Sequence, residues 1–131
     1  MKKPPLNLKK ASYISFSTFR KNGDSVETPV WFAPHGDHYY VFSAASAGKV
    51  KRLRNSTRSR IAPCSVTGAL HGDWRDSRAL ILQQAEEIQC AKQALLKKYG
   101  WQMCLLNISS WIGGKINQRA YIKIALDEDT L

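Results

Sequence analysis

Residues 13–44 read YISFSTFRKNGDSVETPVWFAPHGDHYYVFSA, and two glycine-bearing turns divide them into three segments of strand character. From Tyr13 to Arg20, apolar and hydroxyl side chains alternate with the period of two that a half-buried strand requires. Asn22-Gly23 tolerates the positive φ of a tight hairpin, so residues 21–24 read as a turn. The second segment, residues 25–33, contains Pro29, which cannot donate a ladder hydrogen bond and so marks a bulge or a sheet edge. A further tight turn at residues 35–37 leads into HYYVFSA, residues 38–44, rich in residues that favour strands. The three strands are expected to lie side by side as a meander.

Immediately downstream, residues 43–60 read SAASAGKVKRLRNSTRSR, with six Lys or Arg side chains and no acid. Ser46 is placed to cap a short helix over residues 47–55, with Val50 and Leu53 on its apolar face and basic residues on the other. Strand character resumes in SRIAPCSV (59–66), a glycine-punctuated loop follows, and SRALILQQA (77–85) reads as another strand. Residues 86–99, EEIQCAKQALLKKY, form an amphipathic helix with acids at its start, lysines at its end and Gly100 as the stop. A second short helix is expected over residues 101–111, and QRAYIKIAL (118–126) closes the chain's pattern as a last strand. Many short strands joined by hairpins, with helices between them, indicate an antiparallel β-barrel of α+β class.

The chain has 131 residues, 44% of them apolar, which suits one domain over residues 11–131, preceded by a flexible arm over residues 1–10 where Pro4-Pro5 opposes regular structure. No apolar run approaches the roughly 20 residues of a membrane span, and the basic start lacks an apolar signal core, so a cytoplasmic location is expected. The three cysteines, Cys64, Cys90 and Cys104, are odd in number and have no metal-ligand spacing, which argues against a disulfide framework and a zinc site. The net charge of +10 attracts anions of any size. Its distribution is more informative, because residues 38–72 contain no acid at all.

TPVWFA (28–33), the Gly-Asp turn, YVFSAASAGKVKRLRN (40–55) and RIAPCS (60–65), in this order, resemble the split-barrel flavin-binding family of pyridoxamine 5'-phosphate oxidase relatives. Within it the likeness is to the flavin- or deazaflavin-dependent oxidoreductase branch. The resemblance implies a homodimer with FMN, or alternatively the deazaflavin coenzyme F420, in a groove between subunits. It places Thr28, Pro29, Val30 and Trp31 beside the ring system, and Ser43, Ser46, Gly48 and Lys49 on the phosphate, helped by Lys51 or Arg52. A small organic molecule would accept hydride or electrons. The Tyr and Arg residues that pyridoxamine-phosphate oxidases use on their substrate have no clear counterparts here, so that reaction is not implied. The helix start supports the phosphate reading independently, since small residues, unpaired N–H groups and an ammonium together make an anion site.

Other readings stay open. A basic β-barrel that binds nucleic acid would turn Tyr39, Tyr40 or Phe42 outward as stacking platforms beside the lysines. A split barrel that holds flavin or haem without turnover would show the same sequence. Lys49 and its neighbours also fit a solvated helix face, and Trp31 a strand core. Trp74, Trp101 and Trp111 fit packing or a dimer interface better than a cofactor. His35, His38 and His71 read as exposed loop residues, and Cys64 as a buried small apolar group.

Overall fold

A computed structural model describes residues 13–44, 47–100 and 119–126. The expected N-terminal arm, Ser46, and the second short helix with Trp101, Trp111 and Cys104 lie outside the described residues. The elements run β1 (Tyr13–Phe19), β2 (Ser25–Val30), β3 (Phe32–His35), β4 (His38–Ala44), α1 (Gly48–Asn55), β5 (Arg58–Cys64), β6 (Arg75–Ile81), α2 (Ala85–Tyr99) and β7 (Arg119–Leu126).

The β1–β2 turn forms as the sequence requires. Gly23 takes φ 95°, and the Asn22 side chain accepts a hydrogen bond from the Asp24 N–H at 3.0 Å. Gly36, with φ 63°, makes the β3–β4 turn in the same way.

All neighbouring strands pair antiparallel in one seven-stranded sheet of order β2-β1-β5-β6-β7-β4-β3. The two outermost strands, β2 and β3, are consecutive in the chain with only Trp31 between them. A flat sheet would hold those edges about 29 Å apart, at about 4.8 Å per strand spacing. The two steps from Val30 to Phe32 reach no more than about 7 Å. The sheet therefore curls until its edges meet at Trp31, and the result is a split barrel.

This geometry corrects the expected meander. Within the segment 25–33, only Phe32 and Ala33 run beside β4, while Ser25–Val30 pair with β1. The segment breaks at Trp31, and its halves join opposite edges of the sheet, with Pro29 on one of the edges its missing N–H calls for. Pro29 sits within edge strand β2, opposite Ser15, where its missing N–H costs no second ladder.

Alternation along the strands builds two cores. Ile14, Phe16, Val30, Val41, Ile61, Ile122 and Ile124 fill the barrel interior with Phe32. Tyr40 and Tyr121 point the other way and pack with Ala33 beneath Ala91, Leu95 and Tyr99 of α2. One interior layer is polar: Thr18, Ser59 and Ser77 lie in register on adjacent strands, and the two serine hydroxyls are hydrogen-bonded at 2.6 Å. Helix α1 packs on β1 and β6 through buried Val50 and Leu53. No helix among the described residues is long and apolar enough to cross a membrane.

Candidate cofactor site

Helix α1 begins without a side-chain cap. Ala47 occupies the cap position, its carbonyl accepts from the Val50 and Lys51 N–H groups, and no acid stands in the first turn. The N–H groups of Gly48 and Lys49 therefore have no intrahelical acceptor. Lys49 is half-buried and has no hydrogen-bond or ion-pair partner among the described residues. Burial, with the Arg52 charge nearby, pulls its ammonium below the ordinary lysine range.

Arg52 completes the group. Its Nε donates to Thr18 Oγ1 at 2.6 Å, which fixes the guanidinium against β1. The same guanidinium folds back over the helix start, because a Cβ at Gly48 would stand 2.7 Å from its Nη1. Gly48 thus supplies room rather than a positive φ. Burial and then the charge of Arg20 lower the Arg52 pKa. Arg20, Lys49 and Arg52 form no ion pair with an acid among the described residues. Desolvated cations beside two N–H groups that have no intrahelical acceptor make a donor set suited to a phosphate.

The other half of the candidate site is aromatic. Trp31, half-buried at the barrel seam, stacks on Tyr99 with ring centroids 4.4 Å apart and an interplanar angle of 8°. Tyr13 and Phe42 meet it edge-on at 6.5 and 6.4 Å. Phe42 directly precedes Ser43 on β4, the last strand before α1, so β4 connects the aromatic group to the basic one. The Tyr99 hydroxyl accepts from the Phe32 N–H at 2.9 Å and donates to the Phe32 carbonyl at 2.8 Å. Burial pushes that hydroxyl well above the ordinary tyrosine range. Beside it, Lys98 Nζ lies 3.3 Å from the centre of the Phe32 ring, and burial lowers its pKa to about 8.

The residues named from sequence divide accordingly. Gly48, Lys49 and Arg52 come together at the start of α1, and half-buried Ser43 lies on the strand leading to it. Lys51 projects to solvent. Trp31 stands at the seam with exposed Pro29 close by in the chain, while the Val30 side chain belongs to the barrel core and leaves only its backbone to a ligand. Thr28 pairs across from Phe16, and its hydroxyl is buried without a partner among the described residues. Sequence reasoning missed Thr18, Arg20 and Tyr99. Only Tyr99 carried any signal, as an aromatic in the last turn of an amphipathic helix.

Two further expectations resolve differently. Cys64 is buried, and its thiol is pushed up by burial. His35 and His71 are exposed, but His38 is not: its side chain is 15% accessible and packs against His35 and Tyr40 with Nδ1 3.2 Å from Asp37 Oδ1. Its position on the first residue of β4, opposite His35, draws the ring over the strand surface. No cluster of three or more potential metal ligands exists among the described residues. Tyr39, Tyr40 and Phe42 are buried or half-buried, so none is an exposed stacking platform.

No protein-family model matches the sequence, and no curated protein matches it. Solved structures do match by shape. A candidate pyridoxamine 5'-phosphate oxidase from Listeria innocua superposes with TM-score 0.64 at 11% identity, covering 92% of this chain and 87% of the other. An FAD-binding protein from Mesorhizobium loti gives 0.63 at 15% identity, with coverage of 92% and 82%. The haem storage protein HutZ from Vibrio cholerae gives 0.63 at 12%, with coverage of 92% and 85%. The chain has the split-barrel fold of pyridoxamine-phosphate-oxidase-like proteins. At such identities the likeness is one of fold, and the chemistry of this split barrel rests on its own side chains.

Proposed function

We propose that the protein is a flavin-dependent oxidoreductase that binds FMN, or alternatively coenzyme F420, in a groove between two copies of the chain and passes hydride or electrons to a small organic acceptor. The observation that carries this reading is the half-buried Lys49 ammonium, without a partner among the described residues, beside Arg52 at the start of α1, which has no side-chain cap. A buried cation without a counter-ion is costly, and a bound phosphate removes that cost. The fold neighbours named for FAD binding and for pyridoxamine 5'-phosphate oxidation support a flavin as the phosphate's carrier.

Gly48, Lys49 and Arg52 hold the phosphate in this reading, with Ser43 and Ser46 adding hydroxyl contacts and Lys51 adding long-range attraction. Trp31 borders the ring system, and the backbone of Thr28, Pro29 and Val30 offers it polar contacts. When bound, the ring supplies the redox chemistry. The chain's own work is to bind, orient and exclude water, in keeping with the absence of a paired-carboxylate or Ser-His-Asp motif in its sequence.

The test is a visible-absorbance titration of the purified protein with FMN, coenzyme F420 and haemin in parallel. Saturable perturbation of the FMN or F420 band at one equivalent per chain is expected. No response to either, with a sharp Soret band on adding haemin, would replace the reading with haem binding.

A further inference from the structure

The barrel seam poses a physical problem. Strand β3 lies at the end of the sheet order, and among the described residues the edge of Phe32 turned away from β4 has no strand to pair with. Phe32 is nonetheless buried, and an unpaired buried N–H and carbonyl are expensive. A single side chain meets both groups: the Tyr99 hydroxyl accepts from the N–H and donates to the carbonyl of Phe32, at 2.9 and 2.8 Å. It thereby stands in for the missing strand. Its ring meanwhile lies flat on Trp31, the neighbour of Phe32 in the chain. Two contacts of different kinds thus fix two consecutive residues, and the residue so fixed is the one that bridges β2 and β3.

We infer that Tyr99 is a positioning residue for the flavin site: its hydroxyl locks the backbone of Phe32 and its ring locks the indole of Trp31, so that the wall facing the cofactor's ring system is set before the cofactor arrives. This rests on the reading of Trp31 as a ring contact given above. The energetic reason is preorganisation, since a wall already held in one geometry loses less conformational freedom on binding. Gly100 serves the same end. Its φ of 54° stops α2 immediately after Tyr99, and its N–H closes the last turn on the Leu96 carbonyl at 2.7 Å.

The test uses the full chain labelled with 5-fluorotryptophan, which gives four fluorine sites, one of them assigned to Trp31 by its loss in Trp31→Phe. In Tyr99→Phe, which keeps the stacked ring and removes both hydrogen bonds, the Trp31 resonance of the cofactor-free protein shifts or broadens while that of Trp74 stays in place. Affinity for lumiflavin, a ring without a phosphate, falls at least tenfold, and FMN affinity falls by a similar factor. Tyr99→Leu, which loses the stack as well, falls further. An unmoved Trp31 resonance, or unchanged lumiflavin affinity in a wild type that binds it, overturns the inference. A wild type that binds no flavin overturns the proposed function instead, and the fluorine spectra then decide alone whether Tyr99 positions Trp31.

Discussion

Arg52 on helix α1 donates from Nε to the hydroxyl of Thr18 on β1 at 2.6 Å, and through this bond the basic helix is tied to the polar layer inside the barrel. Arg52 therefore has two duties: it anchors the helix, and its remaining donors lie back over the helix start. Thr18→Val keeps the shape of the side chain and removes the acceptor. The half-buried guanidinium then lacks that partner, and a loss of about 1–2 kcal/mol in unfolding free energy is expected from urea denaturation. Wild-type stability in that variant would mean that α1 is held by Val50 and Leu53 alone.

Lys49 separates from Arg52 in its consequences. It touches no partner among the described residues, so Lys49→Ala removes only a desolvated charge, and the melting temperature of the cofactor-free protein is not expected to fall. FMN affinity should drop ten- to a hundredfold, matching the roughly 1.5–3 kcal/mol of a charge-assisted hydrogen bond. Lumiflavin affinity should not change. Isothermal titration with both ligands reads the difference, and equal losses for the two would remove Lys49 from the phosphate.

The strands are legible in the sequence because their signals are local. Alternation in residues 13–19 and the glycines at 23 and 36 mark elements without reference to the rest of the chain. Strand partners are another matter. Nothing within residues 25–33 says that Val30 and Phe32 belong to opposite edges, and the curl of the whole sheet overrides the adjacency that suggests a meander. The site divides in the same way. Small residues before a basic helix are a local pattern, and they point to Gly48 and Lys49. The partners that fix the site, Thr18 for Arg52 and Phe32 for Tyr99, lie 34 and 67 positions away and leave no local trace.

Lys98 gives the seam a pH signature. Its ammonium sits over the Phe32 ring, and burial holds its pKa at about 8 against an ordinary 10.5. Between those values the unfolded chain binds the proton more tightly than the folded one, so stability from this group rises with pH across that window. Tyr99 acts in the opposite sense above about pH 10, since its hydroxyl stays protonated in the fold after the unfolded chain would release it. Lys98→Met keeps the apolar stem and removes the charge. Its stability relative to wild type should be greatest near pH 7 and shrink as pH rises toward 10, measured by thermal unfolding. A constant difference across that range would show that the ammonium escapes to solvent in the native state.

The proposed groove between subunits would make binding depend on protein concentration. The described surface exposes Val66, Leu70, Leu80 and Leu96, large apolar side chains that a partner can cover. An obligate twofold interface commonly buries more than about 2,000 Å² in total and presents the same patch from each copy. If the FMN site includes both copies, ligand binding and dimerisation are linked, and each strengthens the other. Light scattering should report a dimer at micromolar concentration. Serial dilution should release FMN at the concentration where the dimer dissociates, and added FMN should move that midpoint lower. A monomer that holds FMN at undiminished affinity would confine the site to one chain, leaving Lys49, Arg52 and the Trp31–Tyr99 stack to bind it unaided.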